Sequence, residues 1–96
     1  MKKILFIEDE PALQTAFTDA IADSGYQTFS ALDGEIGVNV AIKEIPDLIL
    51  LDLILPKMDG FQVCETIRLE NSEVPILFLT AKNTSEDRVM GLKKGA

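Results

Sequence analysis

Glu8, Asp9 and Asp52 are the residues whose types and placement could carry chemistry in this chain. Glu8 and Asp9 close the apolar run Ile4-Leu5-Phe6-Ile7, and Asp52 closes the run Leu48-Ile49-Leu50-Leu51. A strand of consecutive apolar residues is buried on both faces. In open α/β folds the carboxyl ends of such strands meet the crevice where ligands bind. Two adjacent parallel strands would therefore deliver three carboxylates to one place. Unit charges about 4 Å apart repel by ~4 kcal/mol at an effective dielectric near 20, so the set calls for a cation. Thr80 follows Ile76-Leu77-Phe78-Leu79 as Asp52 follows its own run, which puts a hydroxyl beside the same crevice.

Structural readings stand beside the chemical one, and for Thr80 it is a hydroxyl satisfied by nearby backbone, common at strand ends. Acids placed before Pro11 favour a helix dipole, so Glu8 and Asp9 taken singly read as a capping pair. Asp52 has no such outlet, because a carboxylate directly after four apolar residues costs free energy to desolvate unless a partner compensates. Asp59-Gly60 reads as a turn and helix cap, Pro56 as loop rigidity, and Lys57 and Lys82 as solvated side chains. Cys64 stands at helical spacing from Phe61 and Ile67 and reads as core.

The elements that must position these groups follow from the patterning. Apolar runs at residues 3–7, 26–30, 47–51 and 75–79 alternate with amphipathic stretches, the signature of βαβ units building a parallel sheet with helices on both faces. The first helix opens at Pro11, carries Leu13, Phe17, Ala20 and Ile21 at helical spacing, and stops at Gly25. The second begins at Asp33 and is expected to bury Ile36, Val40 and Ile42, with Gly34 and Gly37 lowering its propensity. Asp59 caps a third, in which Phe61, Cys64, Ile67 and Arg68 mark successive turns before Asn71-Ser72. Thr84-x-x-Asp87 forms a capping box for a fourth, with Val89 and Leu92 inward and Gly95 as a stop.

Composition narrows the function classes. Ninety-six residues, 47% hydrophobic and 26% charged, describe one compact domain spanning residues 1–96. Sixteen acids against 9 bases leave a net charge of -7, which argues against a nucleic-acid surface in this domain. Cys64 is the sole cysteine and there is no histidine, so a Cys/His metal set is excluded and a reduced, cytoplasmic setting is expected. No apolar stretch approaches the ~20 residues of a bilayer span, and the apolar stretch behind Met1-Lys2-Lys3 is too short for a signal peptide.

The stretches ILFIEDE, PDLILLDLILPKMDG and PILFLTAK, in this order and spacing, resemble the receiver domain of bacterial two-component response regulators. The resemblance covers the whole chain. It implies a flavodoxin-like doubly wound sheet with strand order 2-1-3-4, and a phosphorelay function in which Asp52 accepts a phosphoryl group from a sensor histidine kinase or phosphotransfer protein. Such transfer needs an in-line nucleophile and positive charge to offset the phosphoryl oxygens. Mg²⁺ suits this task as a hard ion that takes oxygen ligands and retains waters beside phosphates. By the resemblance, Asp9 and Asp52 ligate the ion directly, Glu8 mainly through water, and the main-chain carbonyl of Ile54 completes the protein's share. The resemblance further makes Thr80 the switch hydroxyl and Ala81 the small residue that leaves access to Asp52.

The family's fifth strand, which ends in a lysine that pairs with the phosphoryl group, and its fifth helix have no counterpart here. The chain thus reads as a (βα)4 portion of a (βα)5 domain, on the order of 25 residues short. That predicts an exposed edge at the fourth strand and a homo-oligomer or domain swap through it. A second expectation follows: a truncated or engineered structural fragment that self-associates without signalling. The chain is expected to be a phosphoacceptor switch and not an enzyme acting on a separate substrate, with at most Mg²⁺-dependent self-phosphorylation and autodephosphorylation. A metal-dependent phosphohydrolase would carry a second acid two positions after its aspartate, where this chain has Ile54. A nucleotide-binding fold would need a Gly-rich loop after the first strand.

Overall fold

A computed structural model describes residues 2–53, 55, 58–71 and 73–79. The elements run β1 (Lys3–Ile7), α1 (Pro11–Asp23), β2 (Gln27–Ala31), α2 (Gly34–Glu44), β3 (Leu48–Asp52), α3 (Gly60–Glu70) and β4 (Ile76–Leu79). The four strands form one sheet in the order β2-β1-β3-β4, with every neighbouring pair parallel. This is the flavodoxin-like doubly wound arrangement expected from the alternating pattern. Three of the strands begin one residue later than the apolar runs suggest. As a result Asp52 is the last ladder residue of β3, paired with Leu79, rather than the first residue beyond it. The fourth helix expected over residues 84–95 lies outside the described residues.

Side-chain alternation divides the sheet into two unequal faces. Leu5, Ile7, Ile49, Leu51, Ile76 and Phe78 meet Val38 and Ala41 of α2 and Val63, Cys64 and Ile67 of α3 in the main core. On the opposite face Ile4, Phe6 and Leu50 pack against Phe17 and Ile21 of α1, with the Phe6 and Phe17 rings 4.4 Å apart. Cys64 is fully buried, as its spacing indicated, and burial pushes its thiol pKa up. At β4 the residues facing the main core are buried, while Leu77 and Leu79 on the other face are exposed.

Two helices depart in part from the faces their apolar residues suggest, although Phe17 and Ile21 of α1 do pack on the sheet as expected. In α1, Leu13 and Ala20 are exposed and Gln14 is the buried residue. In α2, Ile36 and Ile42 are each 45% exposed, and Gly34, Gly37, Val38 and Ala41 point inward. The reason is a close approach: a Cβ on Gly37 would stand 2.5 Å from Ile7 Cδ1 and 2.9 Å from Ile7 Cγ1. Apolar periodicity favours the larger side chains, but the distance between α2 and β1 selects the smallest. Side-chain caps fix where α2 and α3 begin. Asp33 Oδ1 accepts from Ile36 N at 2.9 Å, and Asp59 and Gln62 form a reciprocal capping box. Asn71 ends α3.

Helix propensity alone would make Gly37→Ala stabilising by about 1 kcal/mol. The fully buried Ile7 has no room to yield, so we expect net destabilisation of roughly 1–2 kcal/mol in urea unfolding. Ile7→Val, which removes Cδ1, should recover part of the loss in the double variant, giving a favourable coupling in the mutant cycle.

Candidate functional site

The register of β1 against β3 builds the site. Ile7 lies opposite Leu51, so Glu8, the first residue beyond β1, stands beside Asp52, the last residue of β3. Alternation places both on the α1 face, continuing the rows Ile4-Phe6 and Leu48-Leu50. Both are 92% buried by accessible area, being 8% exposed, while Asp9 is exposed. One carboxylate oxygen from each of Glu8, Asp9 and Asp52 lies within 4.8 Å of the other two. The three acids read from the sequence are thus brought together. Glu8 and Asp52 line a groove of about 450 Å³ whose apolar wall includes Phe6, Leu13, Phe17 and Leu79. Ile54, Thr80 and Ala81 lie outside the described residues, as do Pro56, Lys57 and Lys82.

The backbone around the carboxylates is tightly held. Glu8 N donates to Ala31 O at 3.0 Å, and Glu8 Oε2 accepts from Glu10 N at 3.2 Å. Glu10 is the N-cap of α1 but makes no side-chain cap bond. The N-cap residue is thus Glu10 rather than Glu8 or Asp9, while Glu8 accepts from its N–H just ahead of the helix. Behind Asp52, Leu53 N donates to Leu79 O and Gly60 N to Leu53 O. A Cβ on Gly60 would fall 2.6 Å from Asp52 O, so glycine lets the start of α3 press directly on the Asp52 backbone. Asp59, one residue earlier, serves as the cap its position suggested.

Burial, with crowding second to it, shows in the protonation of Glu8, whose pKa is raised from 4.5 to about 7. Burial is the largest cause, followed by hydrogen bonding to Asp9 and then the charge of Asp52. Without a cation the cluster therefore relieves repulsion by retaining a proton near neutrality. The donors are all hard carboxylate oxygens, converging from two strand ends. Such a set fits a hard divalent ion and, lacking nitrogen and sulfur, does not favour zinc or copper.

Sequence reasoning missed one member of the site. Gln14 is buried, and its Nε2 donates to Ala31 O at 2.8 Å, Phe6 O at 2.9 Å and Glu8 O at 3.1 Å. A signal existed: Gln14 shares a helix face with Phe17 and Ile21, so a polar residue interrupts the inward row.

The sequence profile of the response regulator receiver domain matches residues 4–96. The chain belongs to this family. Among its relatives, the alkaline phosphatase synthesis transcriptional regulatory protein PhoP of Bacillus subtilis is 45% identical over 95 residues. That match takes in 99% of this chain and 40% of the relative. The DNA-binding dual master transcriptional regulator RpaA of Synechocystis is 40% identical over 98 residues, covering 100% of this chain and 41% of the relative. The chain spans about two-fifths of the length of these curated relatives. Solved receiver structures agree. The chemotaxis protein CheY4 of Vibrio cholerae superposes with TM-score 0.91 at 30% identity, over 100% of this chain and 82% of that one. The BeF3-activated receiver domain of Klebsiella pneumoniae RstA gives 0.90 at 30% identity, over 99% and 80%. Receiver domains are phosphoacceptor switches of two-component systems rather than conventional enzymes, and they bind Mg²⁺ at an acidic pocket.

The receiver site sets a pH dependence. Between pH 4.5 and about 7 the folded chain holds the Glu8 proton and the unfolded chain does not. Stability of the metal-free chain should therefore fall as pH rises through this window, by roughly 1–3 kcal/mol, and level off above it. Urea unfolding in chelator-treated buffers measures this, and Glu8→Gln should remove most of the slope.

Proposed function

We propose that Asp52 is the phosphoacceptor of this receiver domain, taking a phosphoryl group from a phosphohistidine of a sensor histidine kinase or phosphotransfer protein. The observation that carries this reading is the convergence of Glu8, Asp9 and Asp52 at the carboxyl ends of adjacent buried strands. An Asp52 oxygen attacks phosphorus as the bond to the histidine nitrogen breaks, leaving an acyl phosphate on Asp52 and a free imidazole on the donor. Small phosphodonors undergo the same displacement in self-phosphorylation, and water then hydrolyses the acyl phosphate, restoring the Asp52 carboxylate and releasing inorganic phosphate. Burial holds Asp52 in one orientation, and the groove beside it gives the donor an approach.

Asp9 and Asp52 would hold Mg²⁺ directly, Glu8 mainly through water, and Ile54 through its main-chain carbonyl. The ion supplies positive charge that offsets the phosphoryl oxygens. Glu8 gives up its proton when a cation takes over the neutralising role. Thr80 serves as the switch hydroxyl, and Ala81 keeps the approach open. The match covers 80% of the RstA chain and 82% of the CheY4 chain. No described helix is long and apolar enough to cross a membrane. The relatives' role as transcriptional regulators supports a cytoplasmic setting, and the net charge of -7 supports a domain without nucleic-acid contacts of its own. Exposed Leu77 and Leu79 on β4 support self-association through that strand. The converging carboxylates favour the phosphoacceptor reading over a fragment without signalling.

Intact-mass spectrometry after incubation with acetyl phosphate and Mg²⁺ tests the assignment. A single phosphoryl adduct is expected, absent in Asp52→Ala and absent when Mg²⁺ is chelated. No adduct on a chain that is folded by circular dichroism overturns it.

A further inference from the structure

We propose that Gln14 is a positioning residue for the carboxylate site, fixing the Glu8-Asp9 backbone so that both side chains meet Asp52. The inference deepens the metal reading above and rests on it. Gln14 is only 5% exposed, and one nitrogen, Nε2, approaches three main-chain oxygens at 2.8–3.1 Å. An amide nitrogen has two hydrogens, so one must be shared among these acceptors. Meanwhile Gln14 Oε1 is buried with no hydrogen-bond partner. An orphaned buried acceptor is a cost, and an apolar residue could fill the same place between α1 and the sheet without it.

What this arrangement secures is specific. The three acceptors are Phe6 and Glu8 at the end of β1 and Ala31 at the end of β2. Glu8 O lies beyond the last β1 ladder residue. Ala31 O accepts from Glu8 N as well as from Gln14, so both sides of the Glu8 peptide are anchored, one by β2 and one by α1. Thr18 Oγ1 donates to Gln14 O at 2.8 Å, on the next turn of the helix. The segment that presents Glu8 and Asp9 is thereby tied to the sheet and to α1 at the point where three negative groups push apart. Loss of the tie leaves the strands paired but lets the carboxylates spread, which weakens a shared ion.

Mn²⁺ binding, followed by the electron paramagnetic resonance signal of the free ion, tests this on the chain as it stands. Gln14→Met keeps the side-chain length and removes both donors; we expect about tenfold weaker Mn²⁺ binding, in the range of groups that orient metal ligands. Ile67→Val, which loosens the main core away from the site, should leave the affinity unchanged and so separates positioning from general destabilisation. Coupling is reciprocal, so Mg²⁺ should slow hydrogen exchange of the Gln14 side-chain amide in the unsubstituted chain. That measurement decides the matter if Gln14→Met does not fold. Unchanged affinity in a folded Gln14→Met, equal weakening by Ile67→Val, or amide exchange indifferent to Mg²⁺ would overturn the role of Gln14 alone. Failure of the unsubstituted chain to bind Mn²⁺ overturns the metal reading and this inference with it.

Discussion

Repulsion among three carboxylates held at the ends of two paired strands is the constraint on which the site depends. Glu8 and Asp52 are adjacent because Ile7 pairs with Leu51, and that register is set by residues buried on both faces of the sheet. A slip of one residue would send each buried side chain to the opposite face, so the apolar strands cannot move to relieve the charge. The strain is discharged locally instead. Glu8 keeps a proton to about pH 7, and on the proposed metal reading a cation would take the proton's place. Stability is thus spent on a site that is uncomfortable when empty, as expected where function needs concentrated charge.

The two faces of the sheet divide the labour. The face covered by α2 and α3 holds most of the buried apolar side chains, and its close packing leaves no space for even a methyl group at Gly37. The α1 face has a smaller core, Ile4, Phe6 and Leu50 with Phe17 and Ile21, and opens into the groove that reaches Glu8 and Asp52. A rigid slab on one side and an accessible groove on the other let the carboxylates be both fixed and reachable. Gly60 extends the rigid side to Asp52 itself, since α3 begins in contact with the Asp52 main chain.

Much of this was legible in the residues. Consecutive apolar runs ending in acids identified the strands, their parallel pairing and the meeting of Glu8, Asp9 and Asp52, because burial of both faces leaves few alternatives. Asp59 was recognisable as a cap from its turn with Gly60. The inward face of α2 was not legible: Ile36 and Ile42 are the obvious core candidates, and only the interhelix and helix-sheet distances reveal that Gly34, Gly37 and Ala41 must point inward. Gln14 escaped for a related reason. Its value lies in three main-chain oxygens gathered from two strands, and periodicity carries no record of main-chain acceptors. The one-residue offset of β3 likewise reflects ladder hydrogen bonding, which admits Asp52, where hydropathy would have excluded it.

Calorimetric Mg²⁺ titration in two buffers of different ionisation enthalpy tests the central claim most directly, because it counts ions and protons together. The carboxylate account predicts one site per chain, with part of a proton released per ion at pH 7 and close to one at pH 6, as the cation displaces the proton on Glu8. Binding should be lost in Asp52→Ala, and proton release should vanish in Glu8→Gln. Mg²⁺ binding that releases no proton at either pH, or that survives Asp52→Ala unchanged, would contradict it.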